Sequence, residues 1–151
     1  MEVYMPDAYV NCCLCGKIPD LITVELLHSD ERLPPEVDKL RIIGGYCRYD
    51  SPQIRVCPEC GTYYEFIHEH DSEAGMGEGY TDESIARITS DKAAASLEKA
   101  RHSTALSIEY WQTSLAKGDY VEHAKKTIPE EQAELAAIER EIALLAGKAS
   151  K

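Results

Sequence analysis

Two Cys-x-x-Cys-Gly units, at residues 12–16 and 57–61, constrain what this chain can fold into more than any other feature. Two thiolates three residues apart can grip one ion from a tight turn. A glycine after the second cysteine permits a left-handed backbone, which turns amide N–H groups toward the sulfurs. Two such turns complete a four-sulfur tetrahedron. Cys12, Cys15, Cys57 and Cys60 are therefore expected to hold one Zn2+ per chain. Four sulfurs leave no open coordination position, which points to a structural ion and away from a catalytic one. Between the pairs lie residues 16–56, a gap of 41. Loop closure costs only logarithmically more with length, so a strand and an inserted loop fit there. Cys13 and Cys47 are left over. Either could replace one of the four, although Cys13 has the wrong register for the Gly16 turn and Cys47 reads as a spare buried thiol.

Six cysteines in a reducing compartment argue for metal before disulfides. That compartment is the expectation here. Residues 1–7 have neither a basic stretch nor an apolar one, and no run of the chain reaches the 18 or more apolar residues of a membrane span. A cytoplasmic protein with no membrane partner is expected. A thioredoxin-type redox role is not, since no βαβ pattern surrounds either pair.

The composition changes near residue 80. All six cysteines and six of the seven prolines precede it, and fourteen alanines follow it. The fold class expected is α+β: a zinc-ribbon-like antiparallel β domain over residues 1–72, an acidic Gly-rich loop over 73–80, and a helical region over 81–151. Residues 22–27 read as a strand, and Gly44-Gly45 as a turn. Residues 53–56 and 62–70 flank the second cysteine pair and are expected to pair as a hairpin with the metal turn at its tip. Thr81 or Asp82 is expected to cap a short helix, with Glu83 and Arg87 at i,i+4 spacing. Ser90 is expected to cap a long helix ending at Gly118, with Leu97, Thr104, Ile108, Trp111 and Leu115 as its stripe. A last helix is expected from Pro129, striped by Leu135, Ile138, Ile142 and Leu145 and packed antiparallel on the first across about ten connecting residues. With separate cores, loss of the metal is expected to unfold residues 10–70 and spare the helices.

Charge separates the function classes. Net charge is −11, and residues 1–80 hold only six Lys and Arg against fifteen Asp and Glu. Such a chain repels phosphate backbones and attracts basic proteins. The expected partner is a protein, with the charge favouring a basic one, and not a nucleic acid; a nucleic-acid-associated zinc ribbon is the alternative. No nucleophile–base set, phosphate loop or paired carboxylate stands out, so no enzyme is expected. His68 and His70 alternate on one face of a strand near Glu65, Glu69 and Asp71, which makes a second, exposed metal site conceivable. Leu106 and Tyr110 lie off the long helix's stripe and offer a second apolar face, for the ribbon half or for a homodimer through the helical region.

The two turns resemble those of the rubredoxin-like zinc-ribbon proteins. The run Arg55-Val56-Cys57-Pro58-Glu59-Cys60-Gly61-Thr62-Tyr63-Tyr64-Glu65 and the later Thr81-Asp82-Glu83 also resemble a group of bacterial proteins with a Cys-Pro-x-Cys-Gly-Thr-Tyr-Tyr turn. That second resemblance covers roughly residues 46–90. It implies no activity; some such proteins look like accessory or immunity-type partners, which is the role it implies here.

Overall fold

In the computed structural model the described residues are 11–72 and 79–149. The expectations for residues 1–7 and for most of the acidic Gly-rich loop fall outside them. Five strands form one antiparallel sheet: β1 (Leu21–Glu25), β2 (Arg41–Gly44), β3 (Gln53–Val56), β4 (Tyr63–Asp71) and β5 (Tyr80–Ile88), in the order β1-β5-β4-β3-β2. Two long helices follow, α1 (Ser90–Lys117) and α2 (Val121–Ala149). The α+β class is as expected, and so is the β3–β4 hairpin. Its ladder runs from Gln53↔Phe66 to Val56↔Tyr63, with the second cysteine pair at the tip.

β5 is a correction. Residues 80–88 do not form a short helix capped by Thr81 or Asp82. They pair with all nine residues of β4, from Tyr63↔Ile88 to Asp71↔Tyr80. The local helix-start signal is worth little beside a full-length cross-strand partner that buries Ile85 and Ile88 on opposite faces of the sheet.

Successive strand residues point to opposite faces, and the sheet uses both. Tyr64, Phe66 and Ile85 face the cysteine turns, together with Leu14, Ile18, Val37 and Leu40. Tyr63, Ile54, Val56 and Ile88 face the helices and pack with Ala93, Leu97, Ala100, Ile138 and Leu145. The cysteine-bearing half and the helical half thus share the two sides of one sheet.

The hydroxyl of Thr89, one residue before the expected Ser90, caps α1 by accepting from the Lys92 amide at 3.1 Å. Gly118 ends the helix as expected, with φ 78° and its N–H on the Leu115 carbonyl. The connection to α2 is residues 118–120 and not about ten, because α2 begins at Val121 and carries Pro129 inside it. A proline in a helix interior costs one backbone bond, about 3 kcal/mol. Burial of Ala124 and the edge-to-face contact of His123 with Trp111, with ring centroids 4.6 Å apart, favour the early start. Leu97, Thr104 and Ile108 are buried as their spacing foretold; Trp111 and Leu115 are half-buried.

Three contacts dock α2 on the sheet. Ile138 lies so close over Gly44 that a Cβ there would come within 2.7 Å of its side chain. Glu134 Oε1 accepts from the Gly45 amide at 3.0 Å. Glu141, 4% exposed, accepts from the Tyr63 hydroxyl at 2.5 Å and from Arg41 at 2.9 Å. Burial alone would raise the Glu141 pKa, but these two donors outweigh it and hold the carboxyl below the usual range.

Candidate metal centre

The first cysteine turn precedes β1 and has no strand of its own; the second closes the β3–β4 hairpin. In each, the glycine amide returns to the first cysteine's carbonyl: Gly16 to Cys12 at 2.9 Å and Gly61 to Cys57 at 3.0 Å. The left-handed glycine expected of both turns occurs in one. Gly61 has φ 79°, whereas Gly16 continues into a 3-10 turn, Cys15–Lys17, that ends with the Ile18 amide on the Cys15 carbonyl. The chain must run on from Gly16 to bury Ile18, and a helical step does this where a reversal would not. The second turn must re-enter β4, and there the Cys57 amide bonds the Thr62 carbonyl at 2.8 Å.

Folding brings Cys12, Cys15, Cys57 and Cys60 together, with all four Sγ atoms within 4.8 Å of one another. Across the two turns Cys12 and Cys57 are 3.7 Å apart, and Cys15 and Cys60 are 3.5 Å apart. A disulfide would need about 2.05 Å. A tetrahedral ion with metal–sulfur bonds of about 2.3 Å has sulfur–sulfur edges of about 3.8 Å. The spacing therefore fits a shared metal ion. Three of the four cysteines are buried, with Cys15 at 0% exposure and Cys57 at 2%.

The electrostatics agree. Amides of Cys15 and Leu14 directed at its sulfur bring the Cys12 thiol down to about 7 against the opposing effect of burial. Burial pushes the Cys15 and Cys57 thiols up. Holding all four as thiolates in this enclosed space would take a cation among them.

Second contacts fix the ligands in place. The Thr62 hydroxyl lies 3.1 Å from Cys60 Sγ. The Tyr64 hydroxyl, raised above its ordinary pKa by burial and then by its contact with Cys15, faces that thiol. Arg87, on β5, reaches from the sheet to the first turn. Its Nη2 donates to the Cys15 carbonyl at 3.1 Å, to the Ile18 carbonyl at 2.8 Å and to the Tyr64 hydroxyl at 3.2 Å. Its Nη1 donates to Asp20. Spacing alone misses Arg87, because its role depends on residues 80–88 being a strand. Arg55, 7% exposed, does similar work nearby: Nη1 donates to the Val37 carbonyl at 3.0 Å, and the guanidinium lies 4.0 Å over the Phe66 ring.

The other cysteines and the histidine pair stay outside the centre. Cys13 is exposed. Cys47 is half-buried with φ 61°, and burial raises its thiol. His68 and His70 do not converge: His68 Nδ1 meets Glu83 at 2.8 Å, and His70 Nδ1 meets the Thr81 hydroxyl at 2.7 Å. Among the described residues, the four cysteines are the one group of three or more potential ligands drawn this close. Chemically the centre can hold an ion and tie the first turn to the hairpin. No helix among the described residues is long and apolar enough to cross a membrane. Comparison with protein-family models, with curated proteins and with solved structures returns no match.

Proposed function

We propose that this chain is a non-catalytic interaction protein in which a structural Zn2+ pins a small sheet and the sheet carries a helical arm that meets a protein partner. The observation that carries the reading is how the hairpin of helices is placed. Only the first turns of α1 and the last turns of α2 share a core with the sheet, through Ala93, Leu97, Ala100, Ile138 and Leu145. A helix of 28 residues is about 42 Å long. Over the remainder of the two helices Thr104, Ile108 and Ala124 are buried outside the core shared with the sheet. This part exposes large apolar groups: Leu106 (52%) at mid-helix, and Tyr110 (61%) and Tyr120 (74%) toward the connection between the helices. Tyrosines packed beside a tryptophan, as Tyr110 is with Trp111 at 5.0 Å, are the residue types that dominate binding energy at protein interfaces.

Zinc is the ion of choice for four cysteines in a tetrahedron with no open position, and such a shell supports architecture and not turnover. The net charge of −11 favours a basic partner and disfavours the nucleic-acid alternative, whose affinity draws on Lys and Arg along phosphates. An immunity-type or accessory role, blocking or escorting a basic protein, is the concrete form of this proposal.

Capture of the native partner by the tagged protein tests it. The double variant Tyr110→Ala, Tyr120→Ala should weaken capture at least about 10-fold, since interface aromatics are worth roughly 2 kcal/mol or more each. Its fold should be unchanged, because both side chains are exposed. Unaltered capture would remove the arm from the account. Micromolar binding to DNA or RNA at about 0.15 M salt would instead support the alternative.

A further inference from the structure

The geometry points to Arg87 as the residue that positions the metal centre: it holds the first cysteine turn in binding geometry and so sets how tightly the ion is kept. This inference rests on the reading of the four cysteines as a metal site.

The two turns are held very differently. Cys57 and Cys60 sit in a hairpin whose flanking strands make an in-register ladder, and the hairpin carries its own backbone bonds. The first turn belongs to no strand. Among the described residues its polar ties to the sheet run to Arg87, through the Cys15 and Ile18 carbonyls, and to the Tyr64 hydroxyl, which faces the Cys15 thiol, with Leu14, Cys15 and Ile18 adding apolar packing. Arg87 opposes Tyr64 in the β4–β5 ladder, so both side chains lie on the cysteine face. The guanidinium bridges a ligand's own carbonyl, the Tyr64 hydroxyl and Asp20, which fixes its plane. A planar fork with several donors can make all these bonds at once; a lysine ammonium cannot bridge the same set. An ion that needs four sulfurs at fixed separations gains affinity when half of them are held ready.

The test uses the full chain and two variants, Arg87→Lys and Tyr64→Phe. Zn2+ affinity is measured by competition with a chromophoric chelator, tetrahedral geometry by the visible spectrum of the Co2+-loaded protein, and folding by circular dichroism. Wild type is expected to bind one ion. Arg87→Lys is expected to fold and to bind Zn2+ about 10- to 100-fold more weakly, with altered Co2+ ligand-field bands that report a misplaced sulfur. Tyr64→Phe removes one anchor of the guanidinium and also the hydroxyl that faces the Cys15 thiol, and a smaller loss is expected in the same direction. Arg101→Lys, on the exposed face of α1, is the control and should change nothing. Wild-type affinity and an unchanged Co2+ spectrum in Arg87→Lys would overturn the inference. Should that variant fail to fold, wild-type affinity in Tyr64→Phe would overturn it. No ion bound by wild type would overturn the metal reading itself, a distinguishable failure.

Discussion

Cys57→Ser is expected to abolish metal retention and to unfold the sheet at room temperature. Structural zinc contributes roughly 10–16 kcal/mol of apparent binding free energy. The whole stability of a domain is about 5–15 kcal/mol, so little would remain. Cys57 also lies in the core between the turns and the sheet, in the cluster that holds Tyr64 and Phe66, and a serine there buries a hydroxyl that cannot complete the four-sulfur shell. The helices do not escape. Separate cores would spare them, but their sheet-proximal turns share a core with Ile54, Val56 and Tyr63. The dichroism at 222 nm should fall by about half, leaving the self-paired arm. Near-UV signal from the buried Tyr63 and Tyr64 should vanish. An intact near-UV spectrum in the metal-free variant would show that the ion is not needed; loss of all helix would show sheet and arm to be one cooperative unit.

The second large effect is expected at Ile138. It is fully buried where α2 crosses Gly44, within the cluster that includes Leu97 and Ile88. Ile138→Ala should cost about 2–5 kcal/mol, because the neighbouring backbone of β2 cannot collapse into the space. In a chain of this size that lowers the melting temperature by about 10 °C. Urea unfolding of the metal-loaded protein measures it. A loss below about 1 kcal/mol would mean that the helices lean on the sheet without being held by it.

Much of the centre was legible from spacing alone. A Cys-x-x-Cys-Gly turn is a local device, so residues 12–16 and 57–61 announce themselves, and so does the hairpin around the second. The long helix was legible for the same reason: Leu97, Thr104 and Ile108 repeat on one face, and Gly118 stops it. What depends on distant partners was not. Thr81-Asp82-Glu83 reads locally as a helix start, and only the pairing with β4 makes it a strand. Arg87 follows from that strand, since in a helix it would sit near Glu83 and never reach the Cys15 carbonyl. The early start of α2 depends on Trp111 meeting His123 across the hairpin. Glu141 looks like one more surface acid until Tyr63 and Arg41 close around it. Gly16 shows the limit of a motif: the same Cys-x-x-Cys-Gly pattern closes by a 3-10 step in one turn and by a left-handed glycine in the other.

The central claim is that four cysteines from two separate turns share one zinc ion. X-ray absorption at the zinc edge, together with elemental analysis of the purified protein, tests it most directly. One zinc per chain is expected, with four sulfur neighbours at about 2.3 Å. A stoichiometry near zero, or nitrogen or oxygen in the first shell, would contradict it.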